Sequence, residues 1–113
     1  MTIKQSNVTI MVRDMDNAIS FYESIGLKLK NRWGYHYAML EGPGITVGIH
    51  PSEADEHNSG TVSLGFMIDR IEEAKEVLEK NNIVYKAENG KSVSYLHFKD
   101  LDGTIIYFVQ QNW

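Results

Sequence analysis

Cysteine is absent from the 113 residues. That excludes disulfides, thiolate metal centres and thiol nucleophiles, and it suits a reducing cytoplasm, the expected location. No apolar run approaches the ~18 residues of a membrane span. The opening stretch, MTIKQSNVTIMVRD, lacks the long apolar core of a secretory signal. No membrane partner is therefore expected. No extended basic stripe runs along the chain, so no nucleic-acid partner is expected either. Neither a P-loop nor a dinucleotide fingerprint occurs, and Gly42-Pro43-Gly44 reads as a turn. The net charge of −4 is local: PSEADEHNSG (51–60) holds Glu53, Asp55 and Glu56 without a compensating Lys or Arg. With His57, those carboxylates look like a metal cluster on paper. Charge runs between elements are ordinarily solvated, and solvated is the reading preferred here.

What is present is a pattern used twice. In NVTIMVRD, Val8, Ile10 and Val12 fall on one face and Asn7, Thr9 and Met11 on the other, the period of a strand. Asp14 is placed to cap a helix, because its carboxylate can accept the free amide protons of a first turn. Met15, Ala18, Ile19, Tyr22 and Ile25 then form one stripe at helical spacing, and Gly26 closes it in a left-handed conformation. Strands are predicted over 27–32, 35–40 and 45–50. The second half reads likewise. TVSLGFMID is a strand with Val62, Leu64, Phe66 and Ile68 on one face, and Asp69 with Glu72 resembles a capping box. Ile71, Ala74, Val77 and Leu78 stripe a helix that Asn81 or Asn82 ends. Strands follow over 83–86, 92–99 and 104–110.

The halves overlay residue by residue. Met15, Ala18, Phe21 and Leu27 match Ile71, Ala74, Val77 and Ile83. Gly44, Val47 and Ile49 match Gly103, Ile106 and Phe108. Such repetition predicts an α+β fold of two tandem βαβββ modules. The chain, at 113 residues, then forms one domain, with a first module over about 1–50, a linker over 51–60 and a second module over about 61–113. The more apolar strand face covers each helix. The other faces, on curved mixed sheets, would line a cleft, the default ligand site in a chain of this size.

Strand parity names the lining: Asn7, Thr9 and Met11; Thr46, Gly48 and His50; Ser63, Gly65 and Met67; Ile105, Tyr107 and Val109. By the repeat, Tyr37 matches Tyr95 and Met39 matches His97, all inward, with Trp33 and Tyr35 at the rim. Such a lining suits flat or apolar ligands, and methionine adapts to irregular ones. His50 and His97 are the candidate acid–base residues, although neither has a partner visible in the sequence. The plainer alternatives are that the tyrosines pack in a core or subunit boundary and the histidines are hydrogen-bonded wall residues. His36 belongs to the other face or an edge, and Trp113 either packs at a subunit boundary or frays.

The double βαβββ plan, RDMDNAISFYESIGLKL and FKDLDGTIIYFVQ together resemble the vicinal oxygen chelate superfamily, which contains glyoxalase I, bleomycin and fosfomycin resistance proteins and extradiol dioxygenases. The resemblance spans nearly the whole chain. FYE-x-x-GL and the D-x-DG turn are its most specific parts, with Leu101 standing where the turn usually has proline. In metal-dependent members four inward positions carry His or Glu. The resemblance places them on Asn7, Gly48, Ser63 and Tyr107. None of the four offers an imidazole or carboxylate, so no metal or other cofactor is expected. The resemblance thus implies a metal-free small-molecule binder like the bleomycin-resistance branch, acting by sequestration. The site residues are then Asn7, Thr9, Met11, Tyr35, Tyr37, Met39, His50, Ser63, Met67, Tyr95, His97 and Tyr107. The alternative is an enzyme of the same fold, a lyase, isomerase or dioxygenase-like protein using His50 and His97. A third reading is an inert partner-binding scaffold. The resemblance also implies a homodimer, with closed or exchanged modules.

Overall fold

The computed structural model describes residues 2, 7–52 and 62–111. The Glu53, Asp55, Glu56 and His57 cluster, most of the expected linker and Trp113 lie outside the described residues. The chain divides into two compact units, 1–59 and 60–113, each an α+β module of one helix on a four-stranded mixed sheet.

The first unit runs β1 (Val8–Val12), α1 (Met15–Ser24), β2 (Lys28–Trp33), β3 (Tyr37–Gly42) and β4 (Ile45–Pro51). Its sheet order is β1-β4-β3-β2, with β1 parallel to β4 and the other pairs antiparallel. Alternation explains its core. Ile10, Val12, Ala38, Leu40, Val47 and Ile49 are buried, as are Met15, Ala18, Ile19 and Tyr22 of the helix that packs against β2, β3 and β4. Each such large apolar side chain taken from water contributes roughly 1.5–3 kcal/mol. Asp14 caps as its chemistry predicts, its Oδ1 accepting from Asn17 N at 2.9 Å. At the other end Leu27 N donates to Tyr22 O and Gly26 N to Glu23 O, with Gly26 at φ 113. That pair of bonds is the glycine-terminated Schellman arrangement.

The second unit repeats the plan: β5 (Ser63–Met67), α2 (Ile71–Lys80), β6 (Tyr85–Asn89), β7 (Val93–Lys99) and β8 (Ile105–Gln111), in sheet order β5-β8-β7-β6. Leu64, Leu96, Phe98, Ile106 and Phe108 form its buried face, and α2 packs Ile71, Ala74 and Leu78 toward β7 and β8. Its helix ends as the first does, with Ile83 N donating to Leu78 O and Asn82 N to Glu79 O. Here Asn82, at φ 58, takes the left-handed position.

Four expectations are corrected. Tyr35 lies in the turn before β3 rather than in the strand, because that strand begins at Tyr37. The strand expected over 83–86 begins at Tyr85 and runs on to Asn89, since Ile83 is used in closing the helix. Asp69 does not cap α2. The N-cap is Arg70, without a side-chain cap bond, and Ile71 N donates instead to Gln110 Oε1 at 2.6 Å. Finally, Val77 is 37% exposed, because Leu78 takes the sheet-facing position.

Candidate functional site

Each unit leaves one sheet face without a helix, and the sequence-predicted site residues distribute on those faces by strand parity. In the first unit Gly48 pairs with Thr9 on β1 and with Met39 on β3. In the second, the corresponding row pairs Tyr107 with Gly65 on β5 and with His97 on β7. One row therefore carries Thr9, Gly48 and Met39, and its counterpart carries Gly65, Tyr107 and His97.

In the first unit, three of the expected residues meet. The Tyr37 hydroxyl shares a 2.9 Å hydrogen bond with Thr9 Oγ1 and accepts from Asn7 Nδ2 at 3.2 Å. To reach them the phenol crosses Gly48: a β-carbon there would fall 1.9 Å from the hydroxyl. Glycine is required at that point by close approach, not by backbone angle. Trp33 stands beside the Tyr37 ring, 5.8 Å between centroids at 34°. Met11 pairs in register with His50, half-buried against exposed. His50 Nδ1 lies 2.7 Å from Pro51 O. A carbonyl only accepts, so Nδ1 is the donor of this bond. Tyr35 does not join this group. Its phenol oxygen accepts from Met15 N at 3.1 Å, which commits it to the start of α1.

In the second unit Tyr95, His97 and Tyr107 form an aromatic cluster. Ring centroids are 5.5 Å apart for Tyr95 and His97, 6.2 Å for His97 and Tyr107, and 6.4 Å for Tyr95 and Tyr107. All three are half-buried. The Tyr107 ring lies over Gly65, where a β-carbon would come within 2.5 Å of its Cζ. Ser63 and Met67, two residues either side of Gly65 on β5, are exposed. His97 Nε2 is buried and has no hydrogen-bond partner. Glu88 Oε2 lies 3.7 Å from it, too far for a hydrogen bond.

Glu88 is the residue that sequence reasoning missed. With the strand expected to end at residue 86, Glu88 fell outside it. In the structure β6 continues to Asn89, Glu88 pairs with Tyr95, and Lys86 pairs with His97. An alternating strand extended by three residues would have revealed it.

The four positions matched above to metal ligands do not make a donor set. The Asn7 amide is bonded to Tyr37, and Gly48 lies under that phenol. Ser63 is an exposed hydroxyl and Tyr107 packs over Gly65. Among the described residues no three His, Asp or Glu side chains gather where an ion could be held. A divalent ion needs several anionic or imidazole donors to offset its dehydration, and these residues do not fit one.

A family model described as the Glyoxalase/Bleomycin resistance protein/Dioxygenase superfamily matches residues 4–108. An uncharacterized protein of Mycolicibacterium smegmatis is 31% identical over 72 residues, which is 64% of this chain and 61% of that protein. The match thus spans about three fifths of that relative's length. Among solved structures, the fosfomycin resistance protein FosX of Listeria monocytogenes superposes with a TM-score of 0.82 at 14% identity, covering 99% of this chain and 96% of that one. A glyoxalase/bleomycin resistance protein/dioxygenase of Alicyclobacillus acidocaldarius gives 0.75 at 16% identity, covering 97% and 92%. At these identities the structures establish a shared fold.

Proposed function

The chain belongs to the glyoxalase/bleomycin resistance protein/dioxygenase superfamily, that is, the vicinal oxygen chelate group, and from that premise we propose that it is a metal-free binder of small aromatic or apolar molecules that acts by sequestration. One observation carries this reading: at Gly48 and Tyr107, two of the positions that the resemblance matches to metal ligands, a tyrosine ring is seated on a glycine, Tyr37 over Gly48 and Tyr107 over Gly65. Half-buried rings on a sheet face offer stacking surface for a flat ligand. Micromolar capture requires about −8 kcal/mol, within reach of stacking on two or three rings plus a few polar contacts. The exposed apolar side chains Trp33, Met67, Val84 and Leu101 support a homodimeric assembly, expected at twice the 12.9 kDa chain mass by native mass spectrometry.

The test is elemental mass spectrometry of untagged protein dialysed against several divalent metals and then against buffer. Retention below about a tenth of an equivalent is expected, given the donor set. Retention near one equivalent of a tightly held ion would overturn the reading. An enzymatic alternative has one observation in its favour, the carboxylate of Glu88 beside His97, which would support an imidazolium formed during proton transfer. It requires a turnover that H97Q abolishes. Unchanged turnover in H97Q would remove that role.

A further inference from the structure

On the helix-free face of the second unit, the Glu88 carboxylate lies beside the His97 imidazole. Glu88 Oε2 and His97 Nε2 are 3.7 Å apart, and Nε2 is buried without a hydrogen-bond partner. A buried ring nitrogen lacking a partner costs about 1–3 kcal/mol, so a residue kept in that condition calls for a physical reason. In a neutral ring whose proton sits on Nδ1, both facing atoms are acceptors, and only a group that brings hydrogen can satisfy the two together. Glu88 is the piece that can move. Its side chain is 71% exposed, and it belongs to β6, one of the two edge strands of this sheet.

The surroundings set the sign of the ligand. The ring centroids of Tyr95, His97 and Tyr107 lie 5.5–6.4 Å apart, the two tyrosines meeting edge to face. Aromatic faces carry partial negative charge and attract cations. Glu88 adds a formal negative charge at their edge. The basic side chains on the same face are Lys86, opposite His97 in register, and Lys99, two residues along β7. Lys86 and Lys99 are both exposed, with charges carried on long flexible stems. We propose that this face is a recognition site for an organic ammonium ion bearing at least one N–H: the cation would sit against the Tyr95 ring, whose residue pairs with Glu88 across β6 and β7, while its N–H groups bridge Glu88 and His97. This rests on the small-molecule-binding reading above and narrows it to protonated amines with an aromatic or apolar body.

Four probes of nearly one shape separate the contributions: 2-phenylethylammonium, its N-trimethyl derivative, 2-phenylethanol and 3-phenylpropanoate. They are titrated into the full chain, read by the ring resonances of Tyr95, His97 and Tyr107, and repeated with E88Q, an exposed and nearly isosteric change. 2-Phenylethylammonium is expected to bind about tenfold or more tightly than the alcohol, as one charge-assisted contact allows. The trimethyl ion should fall between them, and the anion should bind least. In E88Q the preference for the ammonium ion over the alcohol should collapse. Equal binding of ammonium ion and alcohol overturns the inference and leaves the broader binding reading intact. Tightest binding by 3-phenylpropanoate also overturns it, because Lys86 and Lys99 would then set the sign. An E88Q variant that keeps the preference does the same. If none of the four binds, the inference fails; one equivalent of retained metal in the dialysis experiment would show that the broader reading fails with it.

Discussion

Gly48 does a different job from the turn glycine Gly44, and one added methyl group should destabilise the two sites for different reasons. At Gly48 an added β-carbon would meet the Tyr37 hydroxyl at 1.9 Å and Thr9 Oγ1 at 2.7 Å. The hydroxyl is held there by Asn7 and Thr9, so it cannot simply withdraw. G48A is expected to lose about 1–3 kcal/mol by overpacking. Much of that loss should vanish in a Y37A background, giving a coupling above about 0.5 kcal/mol in a double-mutant cycle read by urea denaturation. Additive losses would mean the ring does not lie over the glycine. At Gly44, by contrast, nothing stands within 4 Å of the added carbon, and the residue sits at φ 78. G44A should cost about 1–2 kcal/mol through backbone strain alone, whatever occupies position 37.

At the scale of elements, two polar side chains hold the ends of the second unit's pieces in place. Gln110, on β8, accepts from the first amide of α2, so a 2.6 Å bond joins strand and helix terminus. Q110A is expected to destabilise by about 1 kcal/mol, the usual worth of a helix N-terminal cap, and D69A by less, which chemical denaturation of the two variants will rank. The turn before β8 depends on Asp100, 7% exposed, whose Oδ1 accepts from Asp102 N at 2.9 Å and Thr104 N at 2.8 Å. Thr104 is fully buried, so D100A strands its amide and should cost about 1–3 kcal/mol. D100N keeps an oxygen in the same place and should retain most of the stability, a contrast that thermal unfolding of the pair would expose.

For the whole molecule, alkaline stability has an identifiable contributor. Desolvation of half-buried Tyr85, followed by the charge of Glu79 and its hydrogen bond, holds this phenol above its ordinary value of 10.0. The folded chain therefore keeps the Tyr85 proton at a pH where the unfolded chain has released it. Stability from this group is present in full below pH 10.0 and is lost as pH rises through the elevated folded value. Y85F removes the titration, so its unfolding free energy should decline less steeply with pH above that point. Equal slopes for the two proteins would show that Tyr85 does not contribute.

The sequence by itself determined the repeated module, the face of nearly every strand and the way α1 begins and ends. Those features follow from local rules: period-2 alternation in Val8–Val12, a carboxylate at Asp14 before an apolar helical stripe, and a residue able to turn left-handed at Gly26 and Asn82. Tertiary structure alone decided which side chains meet. The sequence does not show that Tyr35 would leave the sheet face for the start of α1, because that bond spans 20 residues. The same holds for Gln110 reaching Ile71 across 39 residues in place of Asp69. Whether Tyr37 crosses Gly48, and whether Glu88 faces His97, depends on strand register. Register is set by the packing of a whole sheet face against its helix, an energy summed over many distant residues that no local stretch contains.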